Sequence, residues 1–375
     1  MKLVYVANTI LPSKKANSLQ TMKMCEAFAR IGHETILLLP KIEHQQVDPF
    51  EYYDISPLFE IIRCPYSGIK GKNILYGLHE AKQVRRIKPD IVYGRCLFGC
   101  THAAWMGYPV IFETHIPVWK NSALTSFYFK GLSVSKNLKR VVLISNALKE
   151  YFMEHTSLPP DKLLPAHSGA SEIKQGKDIE KGQWPGRPQC LQLGYTGHLY
   201  PGKGIEIIEK LAEHIDDVDF HIIGGYTQDI VFWQERIKNK NVHFHGFLSQ
   251  RKLNGCFKHL DVCLLPNQRS VSAACIMNSK GVDIGEFTSP MKLFEYMAHG
   301  KAIVASDLPQ LREVLNDSNA YLVSPDDISQ WIAAIIKMKT DAYFRKQIAN
   351  SAYNDFLNKY SWIKRADYVL SSISI

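Results

Sequence analysis

The segment EFTSPMKLFEYMAHGKAIVAS, residues 286–306, places a short helical pattern directly before an apolar run typical of a buried strand. Ser289 and Pro290 are residue types favoured at the N-cap and first position of a helix, so we expect a helix to start there. Its free N–H groups would favour an anion such as phosphate. Glu295 projects from the first turns, where a carboxylate can also simply complement the helix dipole.

The same alternation of apolar strands and amphipathic helices extends outward from this segment through both halves of the chain. Strands that are apolar throughout indicate parallel sheets covered by helices on both faces. We therefore predict an α/β protein of two doubly wound, Rossmann-like domains, whose ligands bind beyond the carboxyl ends of the strands in the cleft between them. The strand candidates are 3–7, 35–40, 90–94, 109–114, 140–145, 190–197, 218–225, 241–246, 261–266 and 301–306.

Residues 171–189 interrupt the alternation with glycine, proline and charged residues. This composition is typical of an interdomain linker. We predict an acceptor-side domain over 1–172, a linker over 173–189 and a second domain over 190–357. A C-terminal helix at about 358–375 is expected to pack back on the first domain.

Composition supports a globular protein of this size. The chain has 375 residues, 46% hydrophobic and 22% charged, which excludes disordered and fibrous classes. No apolar run approaches the roughly 18 residues of a membrane helix. The apolar stretch at the start of the sequence is too short for the apolar region of a secretory signal. With eight scattered cysteines and no Cys-x-x-Cys pair, we expect a cytoplasmic protein with reduced thiols.

The positive charge lies in the first half of the chain. The net charge is +9, of which residues 1–185 carry +8 and residues 186–375 carry +1. A basic half indicates an anionic partner such as a phosphorylated ligand or an acidic lipid surface. Lysines that only confer solubility are the alternative, and no nucleic-acid-binding module is recognised.

The glycine-rich segment GHLYPGKG, residues 197–204, lies between a strand and an amphipathic helix. Its N–H groups can face an anion at the helix start, and Lys203 is placed to contact phosphate. The segment nearly matches a P-loop, but Gly204 stands where a hydroxyl would bind Mg²⁺, so we do not expect an NTPase. A turn with an exposed lysine is the alternative.

These motifs together resemble one family. SPMKLFEYMAHGKAIVASDLPQLREVL (289–315) is similar to the donor-binding segment of the retaining GT-B glycosyltransferases of family 4, and GHLYPGKGIEII (197–208) to their phosphate loop. NTILPSKKANSLQTMKMCEAFARIGHE (8–34) resembles the strand–loop–helix beneath the acceptor. The resemblance runs along essentially the whole chain, in order.

The resemblance implies roles for individual residues of the second domain. Lys203 matches the lysine that contacts the donor diphosphate, and Glu295 matches the glutamate that receives the ribose hydroxyls. Met291 and Lys292 are expected beneath the diphosphate. The remaining donor-binding residues that it implies are Gly197, Gly246, Phe247, Ser289 and Pro290.

Two positions depart from the family pattern. His198 stands where a second cationic residue, an arginine, is expected, so a permanent charge is replaced by a titratable one. Phe287 stands where the first glutamate of the Glu-x7-Glu motif contacts the donor sugar. Glu286 and Asp283 are neighbouring carboxylates that could substitute for it.

In the first domain, His115 resembles the active-site histidine near the donor sugar, although a lone histidine at a strand end is more often structural. With Lys203 and His198 it completes the predicted catalytic set, and Asn17 and Ser18 are assigned to the acceptor-side loop. The family implies retention of anomeric configuration and stabilisation of the leaving diphosphate by cations and N–H groups. No metal or other cofactor is expected, because Asp217-Val218-Asp219 lies in the wrong context for a metal motif.

Residues 122–140 interleave aromatic residues with lysines. An interfacial segment near anionic lipid is one interpretation, and a core helix with solvated lysines is the other. The first would suit a protein bound peripherally at the inner face of the plasma membrane.

We therefore predict a metal-independent glycosyltransferase of hexosyltransferase type, in polysaccharide or glycolipid biosynthesis. It would transfer a sugar from a nucleotide-diphosphate sugar to a saccharide or lipid-linked saccharide. A nucleotide-sugar epimerase of the same fold and a degenerate, non-catalytic binding partner are the alternatives. The donor base, the sugar and the acceptor are not predicted.

Overall fold

The computed structural model describes residues 1–41, 47–66, 71–173, 184–272, 283 and 285–373. The chain divides into two compact units. The amino-terminal unit comprises Met1–Ser168 and Trp362–Ile375, and the carboxy-terminal unit comprises Gly169–Ser361. Of the predicted linker over 173–189, residues 174–183 lie outside the described part.

The amino-terminal unit is a seven-stranded sheet in which each strand is parallel to its neighbours, in the order β3-β2-β1-β4-β5-β6-β7. Strands and helices alternate, so the right-handed crossovers place helices over both faces. In chain order the elements are β1 Lys2–Val6, α1 Ala16–Arg30, β2 Glu34–Pro40, α2 Pro49–Tyr52, β3 Glu60–Cys64, α3 Lys72–Ile87, β4 Ile91–Gly94, α4 Leu97–Trp105, β5 Val110–Thr114, α5 Ala123–Ser133, β6 Leu138–Leu143, α6 Asn146–His155 and β7 Leu163–Pro165.

The carboxy-terminal unit repeats this architecture with six parallel strands in the order β10-β9-β8-β11-β12-β13. Its elements are β8 Leu191–Thr196, α7 Ile205–His214, β9 Val218–Ile223, α8 Thr227–Arg236, β10 Val242–Gly246, α9 Gln250–Cys256, β11 Val262–Leu265, α10 Met291–Ala298, β12 Ala302–Ser306, α11 Pro309–Arg312, β13 Tyr321–Val323, α12 Ile328–Thr340 and α13 Ala342–Asp355. A π-helix, Phe356–Tyr360, precedes α14, Trp362–Leu370, which belongs to the amino-terminal unit.

Both faces of the second sheet are buried. Along β11, Val262 and Leu264 join one hydrophobic cluster, while Cys263 and Leu265 join another. Successive side chains of a strand point to opposite faces, so these clusters cover the two sides of the sheet. This explains why the strand runs are apolar throughout and confirms the prediction of an α/β fold with two doubly wound, Rossmann-like units.

One predicted helix start is wrong by one residue. We expected the N-cap at Ser289 and the first helical residue at Pro290. The helix α10 begins at Met291 and Pro290 is its N-cap, because the backbone of Pro290 is extended, with ψ 121°. Among the described residues, no helix combines the length and the apolar character needed to cross a membrane.

Candidate functional site

The carboxyl end of β8 continues into the glycine-rich segment 197–204, at the point where the strand order reverses between β8 and β11. In open α/β sheets this switch point is where ligands bind. Gly202 and Gly204 have positive φ, and a Cβ on either would lie 2.0 Å from a backbone oxygen of the segment after β11. Only glycine allows the two segments to approach this closely.

Two lysines lie at this switch point. Lys203 is half-buried, and burial lowers the pKa of its ammonium to about 8. Lys292, in the first turn of α10, is 9% exposed. Its Nζ has no hydrogen-bond partner within the described part of the chain and lies 3.7 Å from the centre of the Tyr195 ring. Burial, and then the charge of Lys203, lower the pKa of Lys292 well below its ordinary value, although Glu295 opposes this.

This lysine pair is suited to an anion. Burying a cation without a partner is costly, and neither lysine forms an ion pair within the described residues. An anion between them would relieve both the desolvation and the mutual repulsion. Lys203 is half-buried rather than fully exposed, and its contact with a phosphate stays a prediction.

Tyr296 holds α10 against the ends of two strands. Its hydroxyl accepts a hydrogen bond from the Thr196 N–H at 2.9 Å and donates to the Leu264 carbonyl at 3.4 Å. Because Lys292 lies one turn before Tyr296 and Glu295 directly before it on the same helix, this contact helps to position both residues. Sequence analysis missed Tyr296, whose only signal was its place beside Glu295.

Glu295 lies half-buried towards the ends of β9 and β10. The Gln250 amide donates a hydrogen bond to its Oε1 at 3.3 Å. At the end of β10, the Gly246 carbonyl accepts from the Gly224 N–H at 2.8 Å, and Phe247 is 39% exposed. The predicted donor residues Gly197, Gly246 and Phe247 therefore lie at the carboxyl ends of β8 and β10, which are separated by β9.

His198 lies in an aromatic stack rather than among the lysines. Its ring is 4.8 Å from the ring of Tyr200 and 4.8 Å from that of Tyr226, with nearly parallel planes. The Tyr195 hydroxyl donates to the His198 carbonyl at 2.7 Å. Lys292 is a second cation, close enough to Lys203 for the charge of Lys203 to lower the pKa of Lys292, and the role of His198 at the donor site stays a prediction.

The position of the missing glutamate is filled by a half-buried Phe287. Asp283 is committed to its own turn, since Oδ1 accepts hydrogen bonds from the N–H groups of Val271 and Gly285 at 3.0 and 2.8 Å. Burial would raise the pKa of Asp283, but these bonds and one from Ser270 hold it below its usual value. Glu286 is exposed.

The Asp217-Val218-Asp219 sequence has no geometry for a metal. Asp219 is buried and accepts hydrogen bonds from the Arg187 N–H and Nε at 2.5 and 3.0 Å. Asp217 pairs instead with Lys339. Across the described ranges, no group of three or more His, Cys, Asp or Glu residues could hold a metal ion.

In the amino-terminal unit, a buried ion pair lies under His115. Arg365 of α14 donates through Nη2 to Glu113 Oε1 at 3.0 Å, and the Tyr93 hydroxyl donates to Oε2. Burial would raise the pKa of Glu113, but Arg365 holds it well below its usual value. The same carboxylate raises the pKa of Arg365 against the effect of burial.

His115 follows β5, and its Nε2 lies 2.9 Å from Glu113 Oε1. Burial, and then the charge of Arg95, lower the pKa of His115 to about 4. The ring is therefore neutral near pH 7. Because an ionised carboxylate only accepts hydrogen bonds, Nε2 carries the proton and Nδ1 is left as an acceptor.

Asn17 and Ser18 lie in the first turn of α1, not in the loop before it as predicted. Ser18 is buried, and its hydroxyl bonds with those of Thr9 and Ser13 at 2.9 and 2.6 Å. Ser18 therefore holds the loop in place. Asn17 instead accepts a hydrogen bond from Arg95.

The two parallel sheets, with their strand orders and helices, fit a two-domain α/β protein of the GT-B class. Family models agree. Residues 19–170 match the model for "Glycosyltransferase Family 4", and residues 191–341 match that for "Glycosyl transferases group 1". Together the two matches cover most of the chain, which belongs to the GT-B glycosyltransferases of family 4.

Curated relatives are distant. The chain is 23% identical over 291 residues to the phosphatidylinositol N-acetylglucosaminyltransferase GPI3 subunit of Saccharomyces cerevisiae, covering 74% of this chain and 60% of that protein. It is 23% identical over 278 residues to a phosphatidyl-myo-inositol mannosyltransferase of Mycobacterium tuberculosis, covering 70% of this chain and 66% of that one. The match thus spans less than two thirds of these relatives.

Solved structures share the fold at low identity. Anabaena HepE in complex with UDP and glucose superposes with a TM-score of 0.73 at 16% identity, over 100% of both chains. Sucrose-phosphate synthase from Thermosynechococcus elongatus gives a TM-score of 0.73 at 14% identity, over 98% of this chain and 96% of that one. At this identity they support the GT-B fold alone.

Proposed function

We propose that this protein transfers a hexosyl group from a nucleotide-diphosphate sugar to a saccharide or lipid-linked saccharide, with retention of configuration and without a metal. The observation that carries the proposal is the position of Lys292 beside Lys203 at the switch point of the second sheet. Lys292 is buried, and its Nζ has no hydrogen-bond partner within the described residues. Two cations placed there match the two charges of a diphosphate. The UDP complex of the structural neighbour HepE supports this choice of ligand class.

The donor would extend from the lysines towards Glu295 and the end of β10. Glu295 would accept hydrogen bonds from the ribose hydroxyls, since an ionised carboxylate can accept several hydrogen bonds and the Gln250 amide donates to one of its oxygens. Gly246 and Phe247 would adjoin the base. As the sugar–phosphate bond breaks, negative charge develops on the leaving diphosphate, and Lys203, Lys292 and the N–H groups at the start of α10 would stabilise it.

His115 would act as a neutral acceptor towards the sugar. With its Nε2–H donated to Glu113, the free Nδ1 lone pair can receive a hydroxyl proton in a hydrogen bond. His198 would support the active site through the stacking of its ring with the rings of Tyr200 and Tyr226. Asn17 would act indirectly, through the hydrogen bond that it accepts from Arg95.

Donor binding can be tested by thermal shift with UDP, GDP, ADP and their common sugars in the presence of EDTA. A nucleotide at 100 times its dissociation constant should stabilise the protein by about 2.7 kcal/mol. We expect one base to be selected and Glu295→Ala to weaken the shift, while Glu213→Ala, an exposed glutamate of α7, leaves it unchanged. No shift with any nucleotide at millimolar concentration would leave the degenerate partner as the better reading.

Acceptor-dependent release of free nucleotide then distinguishes a transferase from an epimerase. An epimerase interconverts nucleotide sugars and transfers no sugar to an acceptor. Retention is checked from the anomeric configuration of the product. Release of nucleotide that requires added Mg²⁺ or Mn²⁺ would contradict the metal-independent proposal.

Peripheral membrane contact would involve α5. Its buried face carries Tyr128, Phe129 and Leu132, as the core-helix interpretation expects. The opposite face exposes a stripe of Leu124, Phe127 and Val134, which are 42%, 65% and 75% exposed.

The surroundings of this α5 stripe are basic. Between Asp90 and Glu150 the sequence has a single acidic residue, Glu113, which is buried. Lys130 and Lys136 are exposed beside the stripe. Each lysine near an anionic surface adds about 1 kcal/mol of attraction. An apolar stripe edged by lysines therefore suits an anionic lipid surface at the inner face of the plasma membrane.

Sedimentation with vesicles of anionic and of neutral lipid tests this surface. We expect binding to the anionic vesicles, reduced in the Phe127→Ser, Val134→Ser variant. A matched control is Ile336→Ser, at a residue of α12 that is 50% exposed. Binding that ignores lipid charge, or the α5 substitutions, would contradict the proposal.

A further inference from the structure

The amino-terminal sheet also has a switch point, between β1 and β4. The segment that follows β1 leads into α1, and Arg95 follows β4 directly. Because ligands of open α/β sheets bind at the carboxyl ends of the strands where the order reverses, Arg95 stands where this unit should form its own ligand crevice.

Two neutral side chains hold Arg95 in place. Its Nη1 donates to Asn17 Oδ1 at 2.5 Å and to Gln20 Oε1 at 3.1 Å. A guanidinium group has five donor hydrogens, and within the described ranges these are the only hydrogen bonds of the side chain of Arg95. No carboxylate of the described residues forms an ion pair with it. The group is oriented, half-buried and still has donors on Nε and Nη2.

The charges around this crevice do not balance. Arg95, Arg365 and Glu113 are the charged groups that act on His115. Glu113 is committed to Arg365 through two hydrogen bonds, at 3.3 and 3.0 Å. Since His115 is neutral near pH 7, the positive charge of Arg95 is left without an opposite charge.

The neighbouring backbone adds to this positive character. No side chain caps the start of α1, and its first turn contains no acidic residue. Lys14 and Lys15 are exposed just before it. A planar guanidinium recognises an oxyanion through paired hydrogen bonds, and the Nε–Nη2 edge of Arg95 can form such a pair.

We propose that Arg95 binds an oxyanion carried by the acceptor, a phosphate ester or a sugar carboxylate, so that the acceptor of this transferase is anionic. The proposal rests on the transferase function only for the identity of the ligand, since the site itself lies wholly in the amino-terminal unit. Asn17 and Gln20 act as positioning residues, because they orient the guanidinium without touching the ligand.

The test measures binding of methyl phosphate and of methyl glucuronide by calorimetry. The full chain is used with Lys203→Met and Lys292→Met, so that the second unit no longer attracts anions. We expect at least one probe to bind, and Arg95→Gln in this background to weaken it tenfold or more, because a hydrogen bond to a charged group contributes about 1.5–3 kcal/mol. The tighter probe identifies the source of the oxyanion.

Two further variants complete the test. Arg95→Lys keeps the charge but loses the paired geometry, so the probe should bind it more weakly than the unsubstituted Arg95 but more tightly than Arg95→Gln. The lysine variant also provides the test if the glutamine variant folds poorly. Arg86→Gln, at an exposed arginine of α3, should change nothing. Binding that is absent for both probes, or that is insensitive to both Arg95 substitutions, overturns the proposal. Since this background lacks the donor lysines, the result is independent of the nucleotide panel.

Discussion

The two sheets have the same wound order but treat buried charge in opposite ways. In the amino-terminal unit, Arg365 and Glu113 are both buried and neutralise each other at 3.0 Å. In the carboxy-terminal unit, Lys292 is similarly buried, yet its nearest charged neighbours are Lys203, which repels it, and the half-buried Glu295. The amino-terminal unit therefore encloses an ion pair, whereas Lys203 and Lys292 of the carboxy-terminal unit form no ion pair within the described residues.

This difference separates structural from ligand-binding charge. A buried ion pair contributes little more to stability than apolar residues of similar size would. Removing one partner, however, leaves the other charge buried and uncompensated, which is strongly destabilising. An unpaired buried cation destabilises the free protein and is compensated only when a ligand arrives. The two classes therefore predict opposite responses to substitution, in stability for the first and in ligand affinity for the second.

The largest expected effect is on the ion pair. Arg365→Met should lower the free energy of unfolding by about 3–5 kcal/mol, because it leaves Glu113 buried without its cation. Chemical denaturation measures this change. Arg312→Met removes an exposed pair with Asp307 and should cost far less stability, because exposed pairs contribute little. Equal losses in the two variants would show that burial of the pair does not matter.

The next largest expected effect is a difference between the two units in how much stability they lose at low pH. Burial lowers the pKa of His221 to about 2, of His299 to about 3 and of His245 to about 4, all in the carboxy-terminal unit. In the amino-terminal unit, burial lowers the pKa of His115 to about 4 and also lowers the pKa values of His33 and His102. Below pH 6.5 these histidines bind a proton in the unfolded chain before the folded one. Falling pH therefore favours unfolding, by about 1.4 kcal/mol for each such histidine and pH unit.

At pH 5.5 we therefore expect the carboxy-terminal unit to lose more stability than the amino-terminal unit, where falling pH also favours the folded state through Glu80, whose pKa burial raises to about 8. Hydrogen exchange of β9 and β5, corrected for the pH dependence of the intrinsic rate, reports each unit separately. The stability of both should return as the pH rises above 6.5. Equal loss of protection in both strands would contradict the assignment of these pKa shifts.

A lysine of the donor site should show the opposite signature. Lys292→Met should raise the stability of the free protein, because it removes a desolvated charge, and weaken nucleotide binding by about 10- to 100-fold. Thermal melting with and without nucleotide measures both effects in one experiment. Lys210→Met, at an exposed position of α7, should change neither. Loss of stability together with unchanged affinity would make Lys292 a structural residue.

The architecture could be predicted because it depends on local patterns. The apolar runs at 191–196 and 301–306 are buried strands, and the glycines at 202 and 204 mark a close approach that only glycine tolerates. The family was recognisable for the same reason, since its motifs are contiguous in the sequence. Those motifs also point to Lys203 and Glu295, whose roles in donor binding stay predictions.

The interactions that define the charge of each site were not predictable, because they join distant parts of the chain. Arg365 reaches Glu113 across 252 positions, and Thr196 reaches Tyr296 across 100. Nothing in the sequence near His115 shows that an arginine of the last helix neutralises the adjacent carboxylate. Likewise, the replacement of a family arginine by His198 gains its meaning only once the burial of Lys292 is known.

The smallest expected effect compares two buried tyrosine hydroxyls, one in each unit. Tyr93 donates to the charged Glu113, whereas Tyr296 bonds to backbone groups of β8 and β11. Tyr93→Phe should therefore cost about 1.5–3 kcal/mol of stability and Tyr296→Phe about 0.5–1.5 kcal/mol, because hydrogen bonds to charged groups are the stronger ones. Their effects on nucleotide binding should be reversed. Tyr296 positions Lys292 and Glu295, so only its variant should weaken the nucleotide-dependent thermal shift, and a weaker shift in Tyr93→Phe alone would place the donor in the wrong unit.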